Sequence, residues 1–109
     1  MQFMALIYNK ETGNHDPETF QAYGKFTQDM IAQGHFKSGD ALQPTATATC
    51  LTIRDGKTSL KDGPFSETKE QLGGYYILEC ENLDEAIACA AQIPGAKTGT
   101  IEVRPVLAL

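Results

Sequence analysis

Gln2-Phe3-Met4-Ala5-Leu6-Ile7-Tyr8, followed after a polar stretch by Asp16-Pro17, is the part of the chain whose reading decides the fold. The first run is too short for a long helix and apolar at nearly every position, which suits a strand covered on both faces. Asn9 to His15 collects Asn, Thr and Gly and reads as a loop. Asp16 is then placed to cap a helix, with Pro17 at the first helical position, where a missing N–H costs nothing. Phe20, Tyr23, Thr27, Met30 and Ile31 recur at three- to four-residue spacing, while Gln21, Lys25, Gln28 and Asp29 are polar, so the helix is expected to lie on a sheet. Gly34 is expected to end it.

Working outward, Phe36 to Gln43 contains Gly39 and precedes Pro44, which predicts a short or irregular strand. Thr45 to Arg54 and Lys57 to Lys61 are strand-like runs joined by Asp55-Gly56, a pair suited to the positive φ angles of a type I′ hairpin turn. Ser66 to Leu72 is polar and reads as a loop or one helical turn, and Tyr75 to Cys80 resumes a strand. Asn82 with Glu85 resembles a capping box, and Leu83, Ala86, Ile87, Ala90 and Ala91 give the second helix an apolar face ended by Pro94-Gly95. Thr100 to Val106 closes the chain as a strand, with Ile101 and Val103 on one face and Glu102 and Arg104 on the other. The expected class is α+β, in the order βαβββαβ: a ferredoxin-like antiparallel sheet with one added strand and two helices on one face. Phe3 to Tyr8 and Tyr75 to Leu78 are apolar on both sides, so the uncovered face calls for a homodimer through the sheet faces.

The 109 residues and 11.8 kDa suit one domain, and 41% hydrophobic content supplies a core without metal or disulfide staples. Nine Lys and Arg against 14 Asp and Glu give a formal charge of −5, the wrong sign for holding a phosphate backbone, so no nucleic acid partner is expected. No apolar run approaches the roughly 20 residues of a membrane-spanning helix, and no basic region precedes the short apolar run at the start; the expectation is a cytoplasmic protein without membrane contact. The three cysteines, Cys50, Cys80 and Cys89, lack C-x-x-C spacing. Cys50 and Cys80 read as small buried hydrophobes, and Cys89 falls off the apolar stripe of its helix, partly exposed and without a His or Lys neighbour to activate it.

The segment Asp62-Gly63-Pro64-Phe65 through Ser66-Glu67-Thr68-Lys69-Glu70-Gln71-Leu72-Gly73-Gly74-Tyr75 resembles the DGPF branch of the YCII-related family. The likeness continues through Leu83-Asp84-Glu85-Ala86 and Glu102-Val103-Arg104-Pro105-Val106, and more loosely to Gly39 to Pro44. It implies a dimeric α+β barrel of ferredoxin-like protomers, sometimes encoded beside or fused to an alternative sigma factor, with no settled activity for this branch. Similar proteins in the wider family have a proposed His-Asp acid-base pair, and one branch is linked to dehydrochlorination of a ring substrate. In this sequence the histidine position falls on Tyr23 and the aspartate position on Ile93 beside Pro94. Neither His15 nor His35, which flank the first helix, replaces the missing histidine, so the pair is not carried over.

The candidate site residues surround the motif. Asp62, before Gly-Pro, reads as a turn residue first and as a catalytic group second. Tyr23 reads as a core aromatic, with a role as hydrogen-bond donor or acid as its alternative. Glu67, Lys69 and Glu70 form either a solvated charged loop or the polar wall of a pocket. Arg104 either pairs with Glu102 or Asp40 or anchors a carboxylate ligand. No cofactor motif is present: the glycine spacing matches neither phosphate-loop nor dinucleotide fingerprints. No metal is expected, because neither histidine has a second ligand at suitable spacing. The leading expectation is a homodimeric ligand-binding or accessory module, with a link to sigma-factor regulation implied by the resemblance. The alternative is a small-molecule enzyme, of lyase or hydrolase type, using acid-base chemistry near the motif.

Overall fold

The computed structural model describes residues 1–11 and 16–109, so the readings of His15 and of the loop before it fall outside the described residues. Strand β1 (Gln2–Asn9) forms where the apolar run predicts it, with Phe3, Ala5 and Ile7 buried and the residues between them half-buried. Helix α1 (Pro17–Ala32) starts at Asp16, whose carboxylate accepts from the Thr19 N–H at 2.7 Å. It ends in a Schellman arrangement: the His35 N–H donates to the Met30 carbonyl at 2.8 Å and the Gly34 N–H to that of Ile31 at 3.1 Å. The apolar stripe is rotated from the expected one. Phe26 and Met30 are buried with Tyr23 and Thr27 beside them, whereas Phe20 and Ile31 face outward.

The remaining elements are β2 (Phe36–Ala41), β3 (Thr49–Arg54), β4 (Lys57–Asp62), β5 (Gln71–Glu79), α2 (Leu83–Ala90) and β6 (Thr100–Pro105). Four strands separate the helices, one more than the expected order holds, because the Asp55-Gly56 hairpin adds two strands to the ferredoxin-like set and not one. The principal sheet has the order β2-β5-β1-β6, with every pair antiparallel. This is the ferredoxin-like order, with β3 and β4 set apart as a two-stranded sheet of their own. The hairpin turn has φ of +50° at Asp55 and +75° at Gly56, as the type I′ reading requires. The stretch Ser66 to Glu70 is a loop, and Gln71 already belongs to β5.

Phe3, Ala5, Ile7, Tyr76 and Leu78 form the floor of the core, and Phe26, Met30, Ala86, Cys89 and Ala90 from the two helices cover it. Ile101 and Val103 pack against this core, as their alternation in β6 predicts. Helix α2 also turns differently from its expected face. Cys89 is buried while Leu83 and Ile87 are about half exposed, because small residues let this helix sit close to the sheet.

The opposite sheet face carries Met4, Leu6, Tyr8, Tyr75 and Ile77, all half-buried in the protomer. The hairpin projects from this frame. Its radius of gyration makes the point: 15.7 Å for the chain, against about 13 Å for a compact chain of this length. Leu51 and Leu60 lie opposite each other on one face of the hairpin, with Ile53 alongside, and they are 59, 67 and 56% exposed. Among the described residues, no helix is long and apolar enough to cross a membrane.

Candidate functional site

The motif loop borders an open groove of about 510 Å3 between the Thr45 segment and the start of β5. Its walls are tied down by local hydrogen bonds. The Glu11 carboxylate accepts from both the N–H and the hydroxyl of Thr45, each at 2.8 Å. The Gln71 side-chain amide donates to the carbonyls of Ser66 at 3.0 Å and Thr68 at 3.2 Å, and the Thr100 hydroxyl donates to the Glu70 carboxylate at 2.9 Å. Glu70, expected to act with Glu67 and Lys69, is thus committed to holding the loop against β6. Glu67 and Lys69 line the groove together, and among the described residues neither side chain makes a hydrogen bond or ion pair.

Asp62 and Arg104 are placed elsewhere. Asp62 is the exposed last residue of β4, paired in register with Thr49, and among the described residues its carboxylate accepts no hydrogen bond. The turn that follows is made by backbone instead: the Gly63 N–H donates to the Ala48 carbonyl at 2.8 Å and the Cys50 thiol donates to the Gly63 carbonyl at 3.3 Å. Cys50 is therefore half-buried with a polar task, not an inert core thiol. Arg104 lies on the open sheet face, across from Met4. Neither expected partner pairs with it, because each is engaged by a tyrosine: Tyr75 donates to Asp40 at 2.8 Å and Tyr8 to Glu102 at 3.2 Å. The hydrogen bond to Asp40 is the main cause of the raised Tyr75 pKa, and burial followed by the Glu102 contact raises that of Tyr8.

The two positions aligned with the acid-base pair hold no acid-base couple. Tyr23 reaches the turn after α2, where the Gly95 backbone N–H hydrogen-bonds to its hydroxyl. Burial pushes the phenol above its ordinary value, and that N–H pulls weakly the other way. A Cβ on Gly95 would lie 2.8 Å from the Tyr23 hydroxyl and 2.8 Å from the Asn9 side-chain nitrogen, so the approach requires glycine. Ile93 is buried beside it. The tyrosine serves this packing, and the aspartate position holds only hydrocarbon.

A family model, the YCII-related domain, matches residues 1–109. The chain belongs to the YCII-related family. An uncharacterised protein of Rhizobium meliloti (strain 1021) is 34% identical to this YCII-related chain over 96% of its length and 91% of the relative's. Among solved structures, the 5-chloro-2-hydroxyhydroquinone dehydrochlorinase of Burkholderia phenoliruptrix AC1100, in complex with 2,5-dihydroxybenzoquinone, is similar, with a TM-score of 0.57. That match covers 98% of this YCII-related chain and 94% of the dehydrochlorinase at 14% identity, a likeness of fold.

One cluster escaped the sequence reading. His35 from the turn after α1, Cys80 just past β5 and Cys89 from α2 come together, with one ligand-type atom of each within 4.8 Å of the others. The spacing argument against a second ligand near His35 is corrected by the fold, which joins residues far apart in the chain. Only the burial of Cys80 was legible, from its apolar neighbours.

Proposed function

We propose that this protein is a homodimeric, single-domain cytoplasmic module that binds a small polar molecule in the groove beside the Asp62-Gly63-Pro64-Phe65 motif. The observation that carries this reading is that Glu67 and Lys69 line one groove and, among the described residues, neither is in an ion pair. An ammonium and a carboxylate on one groove wall suit a ligand that carries a carboxylate and a hydrogen-bond donor. Arg104, on the open sheet face, is a second anion anchor if two protomers close that face. The enzyme alternative has less support: the Tyr23 hydroxyl sits against Gly95, the aspartate position holds the buried Ile93, and Asp62 stands outside the groove lining. An accessory role connected with sigma-factor regulation belongs to the same proposal, as a partner-protein contact of the liganded module.

Thermal melting against a panel of small amino and hydroxy carboxylates tests the reading. A binder should raise the melting temperature of the wild type, and Lys69→Ala should weaken that binder about tenfold, the loss of roughly one charge-assisted hydrogen bond, without lowering the melting temperature of the free protein. A panel-wide absence of shifts, or equal binding by Lys69→Ala, overturns it.

A further inference from the structure

We propose that His35, Cys80 and Cys89, completed by Glu85, form a binding site for one zinc-like divalent ion in each chain. Imidazole and thiolate are the donors that zinc prefers, and three such side chains with a nearby carboxylate fill a tetrahedral set. The Nδ1 atom of His35 lies 3.9 Å from the Cys80 sulfur and 3.7 Å from the Glu85 carboxylate. The sulfurs of Cys80 and Cys89 and a ring nitrogen of His35 all lie within 4.8 Å of one another. Closing these distances to those of a coordination shell takes movements of about 1 Å in side chains that already face one another.

The surroundings fit a ligand role better than packing alone. Two buried thiols would fill the space between α2 and the sheet as well as alanine or valine, and neither needs a histidine or a carboxylate at its side. The His35 ring is held in advance, since Nδ1 lies 2.8 Å from the Glu79 carbonyl oxygen. A carbonyl only accepts, so Nδ1, the nitrogen that faces Cys80, carries the proton in the metal-free protein; ligation there leaves the proton on Nε2 instead and exchanges the hydrogen bond to Glu79 for a metal bond. Glu85 is held too, accepting from the Glu81 N–H at 3.1 Å. His35 and Glu85 are partly exposed while the cysteines are buried, which gives the ion a route in and a dry inner side. On binding, each thiol S–H bond gives its proton to solvent and a metal–sulfur bond replaces it; no electron is transferred. The ion then ties the end of α1, the end of β5 and α2 together. This site is separate from the motif groove and does not depend on the ligand proposed there.

The test uses the full chain, reduced and stripped of metal with a chelator, then titrated with cobalt(II). The expected result is a thiolate-to-cobalt charge-transfer band that saturates at one cobalt per chain and is bleached by one equivalent of zinc. Zinc should also protect Cys80 and Cys89, but not Cys50, from alkylation as mapped by mass spectrometry. Cys50→Ser should retain the band. Cys89→Ser should lose it, and because that change lies in the core, His35→Gln at the partly exposed edge supplies the second arm. With an unchanged circular dichroism spectrum, His35→Gln should weaken zinc binding by about tenfold or more, the range that loss of even an outer-shell partner causes. No charge-transfer band, a band that depends on Cys50, undiminished affinity in His35→Gln, or a Cys80–Cys89 disulfide forming in place of metal binding would each overturn the proposal.

Discussion

Asp16 shows how one side chain sets a boundary and leaves a mark on pH dependence. Hydrogen bonding from Thr19 holds its carboxyl below the usual value, with burial opposing weakly. A carboxylate depressed in the folded state adds stability above its unfolded pKa, and that contribution is lost as pH falls through the folded value. Asp16→Asn should keep the cap but flatten the fall in melting temperature on acidification, and Asp16→Ala should lower the melting temperature at neutral pH as well. Parallel acid melting curves for Asp16→Asn and the wild type would show that the cap carries no charge effect. Such a cap was legible in the sequence because Asp16, Pro17 and Thr19 act on their own backbone. The partners of Asp40 and Glu102 were not: two tyrosines from other strands compete with Arg104 for them, and strand register decides the winner.

At the scale of the element, strand β2 depends on a close approach. A Cβ on Gly39 would lie 2.5 Å from the Tyr76 ring and 2.9 Å from the Tyr75 carbonyl oxygen. That ring is fixed by edge contacts to Phe26 and Phe36 and by a 3.0 Å hydrogen bond with the Thr27 hydroxyl, so it cannot swing away freely. Gly39→Ala should therefore cost about 1–3 kcal/mol in urea unfolding, the usual range for overpacking. A neutral result would mean that β2 shifts along β5, where the pairing already slips between Phe36 and Ser38. The sequence marked the Gly39 segment as a short or irregular strand because glycine weakens a strand interior. It could not say that the neighbour is an aromatic ring, nor that α2 turns Cys89 inward, since helix rotation is settled by which small residues let the sheet approach.

For the whole molecule, a flat body of 47 × 38 × 19 Å has room for one layer of helices on one sheet. Its open face bears Met4, Leu6 and Ile77, and its hairpin exposes Leu51, Ile53 and Leu60. A second copy covering both is the arrangement expected from the proposal of a homodimer. The double variant Leu51→Lys, Leu60→Lys should then lower the mass in light scattering from twice 11.8 kDa toward 11.8 kDa while leaving the circular dichroism spectrum unchanged. A wild type that already scatters as a single chain at micromolar concentration would sink the dimer. The alternation and capping signals that set out the helices and strands are local, whereas the groove and the His35 cluster join segments 30 to 45 residues apart, as the Thr100–Glu70 and Cys80–His35 contacts show.

The sheet order also bears on how the chain is made. Strand β1 is synthesised well before its two neighbours, β5 and β6, and Phe3 pairs with Leu78 on one side and Pro105 on the other. Its apolar residues must therefore wait for their strand partners until residues 71–79 and then 100–105 have been synthesised. Folding of this domain consequently depends on distant contacts, which makes it slower than that of helical bundles, and β1 is an apolar segment that a chaperone would meet during synthesis.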